Sequence, residues 1–203
     1  MKRFWLVFAL AVPVLILTGC GINFFNGPSV SFSTVPGALG YSISSSGVIT
    51  VGERVLTFRN RAGAMGVTLT GYTIEFFNEN GAPVDAIESA AGIDNVSRGS
   101  LNLFVPPGID CTSPDLDLGC TVNSAGATFV EGPVVSTQGY QLLPDGIVLA
   151  HLEHCTIEDQ NADGFSGLVC PTGWYGEITF TGVSTTGRGY VSGPHILAIA
   201  PPN

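Results

Sequence analysis

The chain has 203 residues and carries seven Lys and Arg against sixteen Asp and Glu, a formal net charge of −9. Nucleic-acid backbones are bound through clusters of Lys and Arg. The sequence contains no basic run, so its composition argues against a nucleic-acid partner. The length suits one domain that is large enough to bury a core.

The first twenty residues have the organisation of a bacterial export signal. Lys2 and Arg3 precede an uncharged apolar stretch at 4–17, which runs into Leu17-Thr18-Gly19-Cys20. The stretch is shorter than the roughly 20 apolar residues of a membrane-spanning helix. The last four residues resemble the lipobox of bacterial lipoproteins, in which an aliphatic residue, a small residue and Gly precede the cysteine. The resemblance implies cleavage before Cys20 and attachment of lipid to its thiol.

These features divide the chain into a signal peptide at 1–19, a lipidated tether at 20–29 and a single domain at 30–203. Cleavage removes both basic residues of the signal, which leaves five Arg against sixteen acidic residues and a net charge of −11. Anionic lipid repels an acidic domain, so we expect the lipid on Cys20 to be the membrane attachment. The expected location is the cell envelope, facing the periplasm or the cell exterior.

Four cysteines remain once Cys20 is assigned to lipid, and an even number in an exported chain indicates disulfides. Four cysteines allow three pairings. The pairing that is local in sequence, Cys111–Cys120 with Cys155–Cys170, closes two short loops and is the one that we favour. A zinc site would require closely spaced Cys-x-x-Cys pairs, which the sequence lacks.

Short apolar runs broken by Gly, Pro, Ser and Asn indicate strands along the rest of the chain. The clearest is 67–77, which is rich in β-branched and aromatic residues. Strict alternation would place every second residue from Thr68 to Phe76 on one face, and every second residue from Val67 to Phe77 on the other. The predicted strands are 30–35, 41–44, 48–51, 54–59, 67–77, 100–105, 127–135, 146–152, 176–183, 188–192 and 195–199.

A short helix is predicted at 85–91, where Asp85 is a capping residue, Glu88 follows three positions later and a glycine ends the pattern. Many short strands with turn signals between them are typical of a sandwich. We therefore expect an all-β fold, an antiparallel β-sandwich with at most one short helix. Two stretches, 55–84 and 174–199, resemble the hairpins and the final strand pair of bacterial immunoglobulin-like domains. The resemblance implies an immunoglobulin-like sandwich.

The densest group of candidate metal ligands or catalytic side chains is His151, Glu153 and His154. On a strand, His151 and Glu153 would share a face and His154 would point away. A bend would instead bring the two imidazoles together, as zinc or copper requires. His195 is predicted to be a half-exposed strand residue. The sequence has no Gly-x-Ser-x-Gly elbow, so a hydrolase would need a site assembled in space.

A calcium site is predicted in the loop at 158–167. Every second residue from Asp159 to Asp163 carries side-chain oxygen, and Gly164 follows, which resembles the first half of an EF-hand loop. The likeness ends there, since Gly and Cys occupy the later ligand positions, and ordinary exposed turns use the same residue types. The predicted ligands are Asp159, Asn161, Asp163 and the backbone carbonyl of Phe165, completed by a carboxylate from Glu153, Glu158 or Glu177.

The leading interpretation is a lipid-anchored cell-envelope β-sandwich with a structural or binding role. Its expected partner is an envelope protein or a glycan, and its candidate cofactor is calcium. The alternatives are an envelope hydrolase with a spatially assembled site and a metal-binding periplasmic lipoprotein that uses His151 and His154. A deep polar pocket with a Ser beside His151 or His195 would favour the enzyme, whereas a flat aromatic patch would favour the binding module.

Overall fold

The computed structural model describes residues 27–84, 95–114, 120–159 and 166–202. The signal peptide with Cys20 and the predicted helix at 85–91 lie outside these ranges. The described strands are β1 (Val30–Val35), β2 (Tyr41–Ile43), β3 (Ile49–Val51), β4 (Arg54–Asn60), β5 (Val67–Phe77), β6 (Val96–Val105), β7 (Ile109–Asp110), β8 (Thr128–Phe129), β9 (Val135–Tyr140), β10 (Thr156–Asp159), β11 (Ser166–Val169), β12 (Tyr175–Ser184), β13 (Gly189–Val191) and β14 (His195–Ala198), and helix α1 spans Asp145–Glu153.

Two antiparallel sheets pack face to face, which confirms the all-β sandwich. One sheet has the strand order β1-β4-β9, and the other has the order β13-β12-β5-β6, with β14 also paired to β12. The core lies between them. The rings of Phe32 and Phe58 on the first sheet lie 4.7 and 4.9 Å from the ring of Phe180 on the second, measured between centroids. Aromatic contacts at this spacing add to the hydrophobic stabilisation of the core.

Three two-stranded hairpins and the helix complete the described structure. Apolar residues of helix α1, and of the two positions Leu142 and Leu143 just before it, belong to the same core as the sheets. Both disulfides form as predicted, joining Cys111 to Cys120 and Cys155 to Cys170. The second one closes the base of the β10–β11 hairpin, because its cysteines directly flank the two strands.

The predicted strand at 146–152 is wrong, because these residues form helix α1. A short apolar run does not distinguish a buried strand from a buried helix. The helix is buried on several sides, including Ile147, Val148 and Ala150, so the run lacks the polar stripe that would have revealed its period. Its start was nevertheless marked in the sequence, since Pro144 precedes an acidic residue in the first turn, where the helix dipole favours negative charge.

The predicted strand at 127–135 is also wrong, because the chain divides there into β8 and β9. Gly132 and Pro133 lie between the two strands, and proline has no amide hydrogen to donate to a sheet. Strand β6 is longer than the predicted 100–105. The other predicted strands agree with the structure to within one residue at each end.

Strand β5 does not alternate strictly, so the predicted faces of 67–77 are wrong. Val67 and Leu69 are buried, and after them the buried positions are Tyr72, Ile74 and Phe76. The pairing of β5 with β12 shifts register here, which leaves one extra residue in β5. This β-bulge moves the inward face by one residue. As a result, the odd-numbered residues face the core in the first half of β5, whereas the even-numbered residues face it in the second half.

Candidate functional site

Helix α1 carries His151 into the core, where the side chain is fully buried. Its Nδ1 lies 2.7 Å from the Tyr41 hydroxyl, and its Nε2 lies 2.9 Å from the carbonyl oxygen of Pro171. A carbonyl oxygen only accepts, so we assign the ring proton to Nε2, and the Tyr41 hydroxyl then donates to Nδ1. Burial lowers the pKa of His151 and raises the pKa of Tyr41 to about 12. Both groups are therefore neutral at pH 7.

The ring of one tryptophan packs against both His151 and His154, the two histidines of the candidate zinc or copper site. The ring of Trp174 lies 4.9 Å from that of His151 and 5.3 Å from that of His154, and its Nε1 donates to a carboxylate oxygen of Glu79 at 2.5 Å. His154 and Glu153 are exposed, whereas His151 faces the core. The arrangement joins α1, β2 and the segment before β12. The described residues contain no cluster of three or more His, Cys, Asp or Glu side chains that could hold a metal ion.

His195 lies on β14, is half-buried as predicted, and packs against the rings of Phe32 and Phe180 at 5.1 and 6.1 Å. Burial lowers its pKa. The nearby Ser192 hydroxyl accepts a hydrogen bond from the backbone amide of Phe180 and donates to the carbonyl of Gly193, both at 2.9 Å. The crevice that these residues line has no volume for a water molecule. Ser192 and His195 thus form a packed core edge, with no room for a substrate.

The predicted calcium loop is only partly described. Asp159 is the last residue of β10, and its backbone pairs with Ser166 at the start of β11. The other predicted ligands, Asn161, Asp163 and Phe165, lie outside the described residues. Of the other candidate carboxylates, Glu153 ends helix α1, Glu158 lies on β10 and Glu177 lies on β12. Calcium binding by this loop stays a prediction.

A row of aromatic and charged side chains crosses the outer face of the five-stranded sheet. The rings of Phe77 on β5 and Tyr175 on β12 stack at 5.3 Å with 21° between their planes. In the next row of the same face, Glu75 lies directly opposite Glu177, which in turn lies opposite the exposed Ile196 of β14. We call this surface the β5–β12 face, defined by Phe77, Tyr175, Glu75, Glu177 and Ile196.

Neither carboxylate of the β5–β12 face forms an ion pair with a cation among the described residues. Among the described residues the one ion pair joins Arg59 to Glu131, which lie elsewhere. Arg98 on β6 is diagonal to Glu75 across the strand pair, beyond ion-pair distance. Like charges directly opposite each other destabilise a sheet. Glu75 is exposed and Glu177 is half-buried, so this surface combines negative charge with aromatic rings.

Sequence reasoning missed the β5–β12 face for a specific reason. It placed Phe77 and Glu75 together on one side of strand 67–77, which is correct, but this gave no indication of what lies across from them. The register between β5 and β12 brings together residues about a hundred positions apart. No local pattern reports such a register. The signal available in the sequence was an aromatic residue at one end of each long strand, Phe77 on β5 and Tyr175 on β12.

The chain matches no protein-family model, and no curated protein is significantly similar to it. No helix within the described ranges is long and apolar enough to cross a membrane.

Proposed function

We propose that the protein is a lipid-anchored component of the cell envelope whose β-sandwich binds a partner protein through the β5–β12 face. The observation that carries the binding role is the stacked Phe77–Tyr175 pair beside two opposed, unneutralised carboxylates. The partner that fits this surface presents a lysine or arginine together with apolar side chains. Cations bind favourably both to carboxylates and to the faces of aromatic rings.

The disulfides support export and anchoring. The chain has five cysteines, and four of them are paired with one another. Disulfides persist in oxidising compartments outside the cytoplasm. Cys20 is the cysteine that remains, at the end of the segment that resembles a lipobox. Its lipidation accounts for the odd cysteine.

The composition of the face supports protein binding over other roles. Ile196 is 70% exposed, and it extends the apolar part of the surface from the aromatic pair toward the sheet edge. Protein interfaces combine aromatic anchors with charged groups that set specificity and the rate of association. Because the mature chain has a net charge of −11, a cationic partner is also attracted over a distance, which makes the association sensitive to salt.

Site-specific photo-crosslinking tests the docking surface. A photo-reactive residue at Thr179, the next outward position of β12 after Glu177 and so beside the β5–β12 face, should capture the partner in envelope preparations, and one at the exposed Val35 of the opposite sheet should not. Replacing Glu75 or Glu177 by Lys should reduce the yield by about tenfold or more, because the substitution converts attraction into repulsion. Glu153→Lys, the same charge change on helix α1, is the matched control.

Equal crosslinking from Thr179 and Val35 would contradict this surface. An equal reduction of the yield by Glu75→Lys and by Glu153→Lys would also contradict it, because that outcome would report only the loss of overall negative charge. Raising the salt concentration should weaken capture from Thr179, because exposed charges are screened within about 10 Å at 0.1 M ionic strength.

Fractionation of a Cys20→Ala variant tests the anchor separately. The wild-type protein should partition into the detergent phase, with a mature chain that begins at residue 20. The variant should be unprocessed or released, because one or more acyl chains supply the membrane affinity. A variant that still partitions into detergent with the mature N-terminus would refute lipidation.

A further inference from the structure

The opposite sheet carries a groove that the proposed partner surface does not use. Strands β1 and β4 form its floor, and the segment from Glu131 to Val134 rises beside them as a wall. The backbone amide of Gly132 donates to the carbonyl of Asn60 at 2.9 Å, which attaches the wall to β4. The groove is open to solvent, and its volume is about 350 Å³. This volume is near the lower limit for small-molecule sites, and it suits a ligand of monosaccharide size.

The floor of the groove is a set of hydroxyl groups on neighbouring strands. Ser31 lies opposite Arg59, and Ser33 lies opposite Thr57, which in turn pairs with Ser136 of β9. The Ser31 hydroxyl donates to the Arg59 carbonyl at 2.9 Å, and the Thr57 and Ser136 hydroxyls lie 3.2 Å apart. Each hydroxyl has one hydrogen and two lone pairs. Sites therefore remain on this floor for hydrogen bonds with a hydroxyl-rich ligand.

The charge of the groove is opposite in sign to that of the chain. The mature sequence contains five arginines, and two of them, Arg59 and Arg61, line the groove together with one carboxylate, that of Glu131. Arg59 pairs with Glu131, and both side chains are solvent-exposed. Exposed pairs of this kind contribute little stability, so a ligand carboxylate can replace Glu131 at low cost. Arg61 has no carboxylate within ion-pair distance among the described residues.

We propose that this groove binds an acidic sugar, a hydroxyl-rich ring that carries one carboxylate. The carboxylate lies at the arginine end of the groove, where guanidinium groups bind planar oxyanions through paired hydrogen bonds. The ring hydroxyls bind the serine and threonine floor, and Val134 covers one apolar edge of the ring. A neutral sugar lacks the group that the arginines recognise, and a small inorganic oxyanion leaves the floor unused. The residues that form the site are Ser31, Ser33, Thr57, Arg59, Arg61 and Glu131.

Calorimetry of the mature domain with three probes tests this site. Glucuronic acid should bind, whereas glucose and inorganic phosphate should bind at least about tenfold more weakly, because each offers only half of the recognised chemistry. Arg59→Gln should weaken glucuronic acid by about tenfold or more, since a charge-assisted pair is lost. Arg188→Gln, in the turn between β12 and β13, is the matched control and should leave binding unchanged.

Two further measurements separate a lost site from a damaged fold. Thr57→Val keeps the shape of the side chain and removes its hydroxyl, so it should weaken glucuronic acid while leaving the melting temperature close to that of the wild type. Glucose that binds as well as glucuronic acid, phosphate that binds as well as the sugar acid, or an Arg59→Gln variant with wild-type affinity would each overturn the proposal. Absence of glucuronic acid binding to the wild type would also overturn it. None of these outcomes bears on the β5–β12 face, which lies on the other sheet.

Discussion

Replacing His151 by leucine is expected to destabilise the domain by about 2–6 kcal/mol. The substitution leaves the Tyr41 hydroxyl and the Pro171 carbonyl without their partners, and each buried polar group left unpaired costs about 1–3 kcal/mol. Tyr41→Phe in the same chain removes one of the two orphaned groups. The double variant should therefore be about 1–3 kcal/mol more stable than the sum of the two single effects implies.

The same histidine should make stability depend on pH. Burial holds the folded-state pKa of His151 below its unfolded value of about 6.5, so the unfolded chain takes up the proton first as the pH falls. The contribution is complete above pH 6.5, and below it the free energy of unfolding falls by at most about 1.4 kcal/mol per pH unit until the folded-state pKa is reached. His195, whose pKa is also lowered by burial, adds a slope of the same sign.

Urea unfolding at several pH values between 7.5 and 5 measures both effects. Trp174 is the one tryptophan outside the predicted signal peptide, and its contact with the His151 ring makes its fluorescence a direct probe. Below pH 6.5 the wild type should lose stability more steeply than His151→Leu, with a difference in slope of up to about 1.4 kcal/mol per pH unit. An identical pH slope in the two proteins, or a His151→Leu loss below about 0.5 kcal/mol at pH 7.5, would refute the assignment of a buried neutral imidazole.

Three other measurements test features of the fold and the calcium loop. Replacing Cys155 and Cys170 together by serine should cost about 3 kcal/mol in urea unfolding, because the loop-closure entropy returns to the unfolded chain; an unchanged midpoint would contradict this. Gly99→Ala should destabilise by about 1–3 kcal/mol, since the added Cβ would lie 2.3 Å from the Tyr72 ring, and wild-type stability would show that the ring moves freely. Millimolar calcium should raise the melting temperature, and Asp159→Ala should abolish the rise; no shift in the wild type would leave an ordinary turn.

Local chemistry was enough to predict most strands and both disulfides. The bounds of β1 and β5 were predicted without error, because turn residues and a change in side-chain type mark each end. Cys111–Cys120 and Cys155–Cys170 followed from short separations, which favour closure of small loops. Helix α1 was predicted as a strand because apolar residues lie on several of its sides, so the sequence shows neither the period of a helix nor that of a strand.

The all-β class, most of the strands and the disulfide pairs could be predicted from the sequence alone, since each of these depends on residues close together in the chain. Strands β7, β10 and β11 were not predicted. The bulge in β5, the partners of His151 and the alignment of Glu75 with Glu177 become visible only in the folded chain. These features depend on the register between strands that are far apart in the sequence and on which elements pack against each other. Register is set by the packing of the whole core, and a shift of one residue reverses every face.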